Sequence, residues 1–106
     1  MTKRQRRFEV LLPHQYNDGR RVPEKLLGKA YREILDHFNA VSYEPQKIRG
    51  LWRYQGRVYR EKFSRVVVDV VDTVKNRQWI KVFKNRWKEE LQQIELWVVS
   101  YRIEIE

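Results

Sequence analysis

The chain has 106 residues, 42% of them hydrophobic and 13% aromatic, with four Gly and three Pro, a composition that fits one folded domain and excludes a disordered tail or a flexible linker. Its 23 Lys and Arg against 14 Asp and Glu give a formal net charge of +9, and the lack of cysteine excludes disulfides, thiolate nucleophiles and cysteine-held metals. Neither a secretory hydrophobic core nor a run of ~18 apolar residues is visible, so the expectation is a soluble, cytoplasmic protein with no membrane partner.

Met1 to Arg7 read as a basic leader (residues 1–7), and residues 8–106 as a single domain. Residues 8 to 12 alternate loosely before Pro13 and predict a first strand, followed by a turn at Asn17-Asp18-Gly19. From Pro23 the period changes. Leu26, Leu27, Ala30, Tyr31, Ile34, Leu35 and Phe38 recur at spacings of three and four, the apolar stripe of an amphipathic helix, with Pro23 and Glu24 suited to its first turn and Asn39 to its end.

Between Ala40 and Asp72, aromatic and β-branched residues predict two long strands joined at Tyr54-Gln55-Gly56-Arg57. Pro45 and Gly50 suggest a bulge or an edge position in the first arm. In the second arm Val66, Val68 and Val70 share one face, while Val67 and Val71 share the other with Asp69, as in a central strand covered on both sides. Asp72 or Thr73 suits the cap of a second helix, in which Trp79, Ile80, Phe83, Trp87, Leu91 and Ile94 keep helical spacing and Arg77, Lys81, Lys84 and Lys88 form a basic outer stripe. The last segment alternates from Trp97 to Glu106 and predicts a half-buried strand. Strand, helix, strand, strand, helix, strand is the ferredoxin-like βαββαβ order: an α+β fold with a four-stranded antiparallel sheet and two helices on one face.

An enzyme is hard to assemble from these residues. The histidines are His14 and His37, no three ligands fall at metal spacing, no phosphate-cradling loop is present, and Ser42, Ser64 and Ser100 lie in no nucleophile motif. No cofactor is expected. His14, Tyr16 and Asp18 form the best local polar cluster, for which turn chemistry is the simpler explanation.

Charge is segregated along the chain. Lys3, Arg4, Arg6 and Arg7 contribute +4, residues 47–65 contribute +6, and residues 89–106 contribute −4. Arg49, Arg53, Arg57 and Arg60 interleave with Trp52, Tyr54 and Tyr59, a combination that can neutralise phosphates and stack bases. The bland alternative pairs Arg53, Arg57 and Arg60 with Glu61 and the acidic C-terminal stretch, across strands or across a subunit boundary. Fourteen aromatics in 106 residues also suggest that Trp52, Tyr59, Trp97 or Tyr101 stand on the uncovered sheet face, where a second copy would cover them.

The stretch Gly50-Leu51-Trp52-Arg53-Tyr54-Gln55-Gly56-Arg57-Val58-Tyr59-Arg60-Glu61, followed by Ser64 and Val66-Val67-Val68, resembles a group of small bacterial domains of unknown function. In these a Gly-x-Trp-Arg hairpin with an Arg-Glu return arm precedes a valine-rich strand and a second helix. The resemblance implies the same element order and a shared role for Trp52, Arg53, Arg60 and Glu61, and it names no activity. Arg60 and Glu61 are adjacent in a strand and therefore point to opposite faces, one of them inward or toward a partner.

The expected function is that of a small basic, non-enzymatic binding or assembly domain forming a homodimer through its sheet. Two alternatives stand beside it: nucleic acid or another polyanion bound by the Arg-rich hairpin and leader, and a dimeric α+β barrel enzyme or small-ligand binder. The candidate partner or ligand residues are His14, Tyr16, Trp52, Arg53, Arg57, Arg60 and Glu61.

Overall fold

The computed structural model of the chain describes residues 3–44 and 46–106; Met1 and Thr2 of the expected leader, and Pro45 with its expected bulge or edge, lie outside them. The elements run β1 (Gln5–Pro13), α1 (Glu24–Phe38), β2 (Ser42–Tyr43), β3 (Ile48–Tyr54), β4 (Arg57–Val71), α2 (Val74–Glu90) and β5 (Val98–Ile103). Every strand pair is antiparallel. The sheet order is β2-β4-β1-β5, and β3 also pairs with β4.

This is the expected α+β architecture, with five strands among the described residues in place of four. The first arm of the long hairpin is divided in two: β3 pairs with the outer half of β4, while β2, two exposed residues, pairs with Val66 and Val67. So short a solvated strand has no hydrophobic alternation to read. A second correction concerns the leader. β1 begins at Gln5, because Arg6 donates to Asp72 at 3.0 Å and Arg7 makes two hydrogen bonds to Asp69 at 2.8 and 3.0 Å. Charged residues thereby extend the strand, each held by a carboxylate brought across by tertiary pairing.

Register decides the core. Residues opposite each other in an antiparallel ladder share a face, so Phe8, Val10 and Leu12 of β1 stand with Val68, Val66 and Ser64 of β4. Onto this face α1 brings Leu27, Ala30 and Ile34, and α2 brings Ile80, Phe83 and Trp87, all buried. The helices are tied to each other by Glu33, which accepts from the Trp87 indole at 2.9 Å and from Arg86.

At one end of the sheet the Asp72 side chain is only 2% exposed and meets three guanidinium groups, Arg6 at 3.0 Å, Arg77 at 3.0 Å and Arg102 at 3.6 Å. Strand β1, helix α2 and strand β5 converge on this one carboxylate. The Arg6 hydrogen bond holds Asp72 below the usual carboxylate range. Thr73, not Asp72, caps α2, its Oγ1 accepting from the Asn76 amide at 3.0 Å.

Helix α2 stops at Glu90 although apolar spacing continues through Leu91 and Ile94. Gln92 takes a φ of +50°, which turns the chain out of the helix while leaving Leu91 buried. In β5 it is Val98 that packs against the core, whereas Trp97 is 58% exposed. At the hairpin tip Gln55 and Gly56 both have positive φ, 49° and 77°, the pattern of a primed two-residue turn. Among the described residues, no helix is long and apolar enough to cross a membrane.

Gly50 faces Phe63 so closely that a Cβ built on it would lie 2.7 Å from the Phe63 ring. Gly50→Val is therefore expected to destabilise the fold by about 1–3 kcal/mol, the usual cost of forcing extra carbon into a filled contact. Urea denaturation measures this, and an unchanged midpoint would show that the ring yields freely.

Candidate ligand site at the base of the long hairpin

Three segments meet where β4 leaves the four-stranded part of the sheet: the β1–α1 loop, the β3–β4 hairpin and the α2–β5 loop. Asn17 joins them. Its Nδ2 donates to Glu61 Oε1 at 3.2 Å and makes a long contact with Gln93 Oε1 at 3.5 Å, while its Oδ1 accepts from the Ile94 amide at 2.9 Å. Gln93, itself buried, donates to the carbonyls of Gln15 and Leu91 at 3.1 and 2.9 Å. Burial at this point is supplied by loops, not by the helices.

Glu61 is 7% exposed. Strand alternation sends it to the same face as Phe63, Tyr59 and Trp52, with Gly50 directly opposite. Among the described residues it forms no ion pair, in contrast to the three arginines around Asp72. Burial pushes its carboxyl above the ordinary glutamate value, and hydrogen bonds from Trp52 and Asn17 offset only part of that rise.

Beside Glu61 lies a cavity of about 330 Å³ walled by Leu11, Gly50, Leu51, Trp52, Phe63 and Trp97, with Glu95 on its rim. Burial also pushes Glu95 upward, but the Leu96 amide at 3.0 Å and Lys84 at 3.3 Å outweigh it and leave that carboxyl below its ordinary value. An aromatic series runs outward along the hairpin: Trp52 stacks on Tyr59 at 4.6 Å, and the Arg57 guanidinium sits 4.7 Å over the Tyr59 ring.

The seven residues singled out in the sequence do not form one site. Trp52, Arg57 and Glu61 share the cavity face of the hairpin. Arg53 and Arg60 stand on the other face with Arg49 and Lys62, and within one chain no pairing of Arg53, Arg57 or Arg60 with Glu61 or the acidic stretch is formed among the described residues. Cations and stacking aromatics mostly occupy opposite sides of the hairpin. Tyr16 carries Arg20 over its ring at 4.8 Å. Asp18 accepts from the Arg20 amide at 3.0 Å and holds its side chain at 2.6 Å, which is turn chemistry.

His14 lines a separate cavity of about 340 Å³ between α1 and the sheet, with Tyr31, Tyr43 and Lys47. Its Nε2 lies 2.6 Å from Ser64 Oγ, and burial pushes its pKa below the ordinary histidine value. Among the described residues no carboxylate bonds to its other ring nitrogen, so this pair lacks the orienting acid that a serine nucleophile uses. No group of three or more His, Cys, Asp or Glu among the described residues is placed to hold a metal ion.

Asn17 and Gln93 were not among the candidate site residues. Asn17 was already accounted for by a turn, and Gln93 lies 76 residues away from it. A polar Gln inside the apolar spacing of Leu91 and Ile94 is the one local signal of an inward-facing amide.

A carboxyl whose pKa is raised on folding binds its proton more tightly in the folded state. Stability from this group is present at low pH and lost as pH rises from the ordinary 4.5 through the raised value. Relative to wild type, Glu61→Gln is therefore expected to gain stability across that window and then level off. Thermal melts of both proteins from pH 4 to about pH 8 measure this, and a difference independent of pH contradicts it.

No protein-family model and no curated protein matches the sequence significantly. Solved structures do resemble the fold. CutA1 from Oryza sativa matches over 99% of this chain and 84% of its own, with 11% identity and a TM-score of 0.66. A phage SAM lyase in its apo state matches over 100% and 94%, with 13% identity and a TM-score of 0.63. CutA from Synechococcus elongatus PCC7942 matches over 94% and 81%, with 14% identity and a TM-score of 0.53. At these identities the likeness establishes what this chain shares with them: an α+β fold of antiparallel strands and two helices.

Proposed function

We propose that this protein is a small binding and assembly domain that forms a homodimer through the sheet face opposite its helices. The observation carrying this reading is the charge of that face. Arg7 pairs there with Asp69 at 2.8 Å and Arg65 with Glu44 at 3.0 Å, and Glu9 stands beside them. On a chain of net charge +9, a face whose two arginines are both paired, with three carboxylates among them, is where two copies can approach without the repulsion of the chain's overall positive charge.

Its apolar content supports the same reading. Leu11, Val67, Val99 and Ile103 lie on that face by register, together with Tyr101, 43% exposed, and Trp97, 58% exposed. The buried residues of both helices all belong to the cluster on the opposite side. Nine residues each of β1 and β4, six of β5 and two of β2, at about 3.3 Å per residue and 4.8 Å between strands, make a plane of roughly 400 Å². That is about half of the ~800 Å² that each partner contributes to a standard interface, before the relief of the standing side chains is added.

Light scattering on the eluting protein is expected to give twice the chain mass for wild type. Val99→Glu, which puts like charges face to face across a two-fold axis, is expected to give the single-chain mass with an unchanged far-ultraviolet spectrum. A monomeric wild type at high micromolar concentration overturns the reading.

A second reading is favoured by the other side of the hairpin. Arg49, Arg53, Arg60 and Lys62 are all exposed on one face, and none enters an ion pair among the described residues. This face suits contact with a phosphate backbone. Trp52, Tyr54 and Tyr59 lie behind it, which weakens base stacking as part of the same contact. Binding to mixed oligonucleotides that steepens as salt is lowered, and that weakens in Arg53→Ala/Arg60→Ala, supports this reading. Salt-independent or absent binding removes it.

A further inference from the structure

Two carboxylates of this chain are withdrawn from water, and they are compensated in opposite ways. Asp72 is surrounded by three arginines. Glu61, in a chain with 23 Lys and Arg, is met among the described residues by neutral donors alone, the Asn17 amide at 3.2 Å and the Trp52 indole. An uncompensated buried carboxylate is costly to a fold, and such a group kept at the wall of a cavity points to a cation that arrives from outside.

The cavity agrees in its chemistry. Among the described residues its ionisable wall groups are Glu61 and Glu95, the latter already paired with Lys84, and the remaining wall is aliphatic and aromatic. Trp52 and Trp97 present ring systems that attract cations. At about 330 Å³ the space sits at the lower end of the roughly 300–1,000 Å³ of small-molecule sites. From these features we infer that the cavity between the hairpin base and the start of β5 binds a small organic cation. Its protonated amine or guanidinium group bonds to Glu61, and its apolar body lies between Leu11, Phe63 and Trp97.

Asn17 is a positioning residue in this site. It holds one carboxylate oxygen of Glu61 and the backbone of the α2–β5 loop at Ile94. The two-residue turn at Gln55-Gly56 and the Trp52–Tyr59 stack at 4.6 Å hold the outer wall without help from the ligand, so the site is largely formed in its absence.

The test uses the full chain with phenethylamine, tryptamine and phenylguanidine as probes, and 2-phenylethanol and 3-phenylpropionate as neutral and anionic counterparts. Titrations followed by amide and indole NMR signals are expected to shift the Trp52 and Trp97 indole resonances saturably with at least one of the three cations. The alcohol and the acid are expected to leave them in place. Glu61→Gln is expected to weaken cation binding by roughly tenfold to a hundredfold, the worth of a hydrogen bond to a charged group. Because that variant keeps an acceptor for Asn17, its unchanged spectrum elsewhere separates lost binding from lost folding. Equal response to amine and alcohol, retained affinity in Glu61→Gln, or no saturable shift with any of the three cations overturns the inference. If the protein proves monomeric while the cation binds, the assembly reading fails and this one stands.

Discussion

The nine-residue ladder between β1 and β4 is the constraint on which the rest of the structure depends. By pairing Gln5 with Val71 and Pro13 with Phe63, it assigns every side chain of the two central strands to a face. Phe8, Val10 and Leu12 then meet Val68, Val66 and the two helices, while Arg7, Glu9 and Leu11 are sent to the other side with Asp69, Val67 and Arg65. A slip of one residue would exchange these sets. The same pairing brings Arg6 to Asp72, where Arg77 and Arg102 also arrive, so the register that builds the core also neutralises the carboxylate at its end.

Strand β4 is longer than its partner β1, and that difference creates the candidate site. Its 15 residues continue past β1 with β3 alongside, and the alternation of faces continues with them. Residues on the face that is open in the main sheet meet the β1–α1 and α2–β5 loops further out. Glu61 is buried for that reason. It occupies a position that would be half-solvated a few residues later in the strand, and the loops that cover it supply amides from Asn17 and, through it, Gln93, but no cation. Two surfaces with different chemistry follow from one strand: a sheet face whose arginines are paired with carboxylates, and an acidic, aromatic cavity at its edge that shares Leu11 and Trp97 with it.

Much of this was legible in the sequence, and the physical reasons for the misses are specific. The stripe from Leu26 to Phe38 gave α1 its ends because Asn39 takes a left-handed conformation, φ 63°. The valine alternation of β4 and the Gln55-Gly56 tip were equally readable, since both are local. Strand β1 was read three residues short because Gln5, Arg6 and Arg7 look like a solvated tail until Asp69 and Asp72 are brought beside them. The end of α2 was overrun because Ile94 keeps helical spacing after the chain has turned at Gln92. At the candidate site, alternation alone separates Glu61 from Arg60. Sequence could not reveal that Asn17 and Gln93 close over Glu61, since those contacts join residues 44 and 76 positions apart.

How Glu61 holds its proton decides whether the site awaits a cation, and a titration of the protein labelled with carbon-13 at its glutamate side-chain carboxyls reads that group directly, with Glu61→Gln identifying its signal. A midpoint displaced upward from the other glutamates is the result expected of a carboxyl enclosed by Asn17, Trp52 and Phe63 without an ion pair among the described residues. A midpoint at or below theirs would mean that water or a basic side chain already compensates it, and the contrast with Asp72 on which the ligand site rests would be gone.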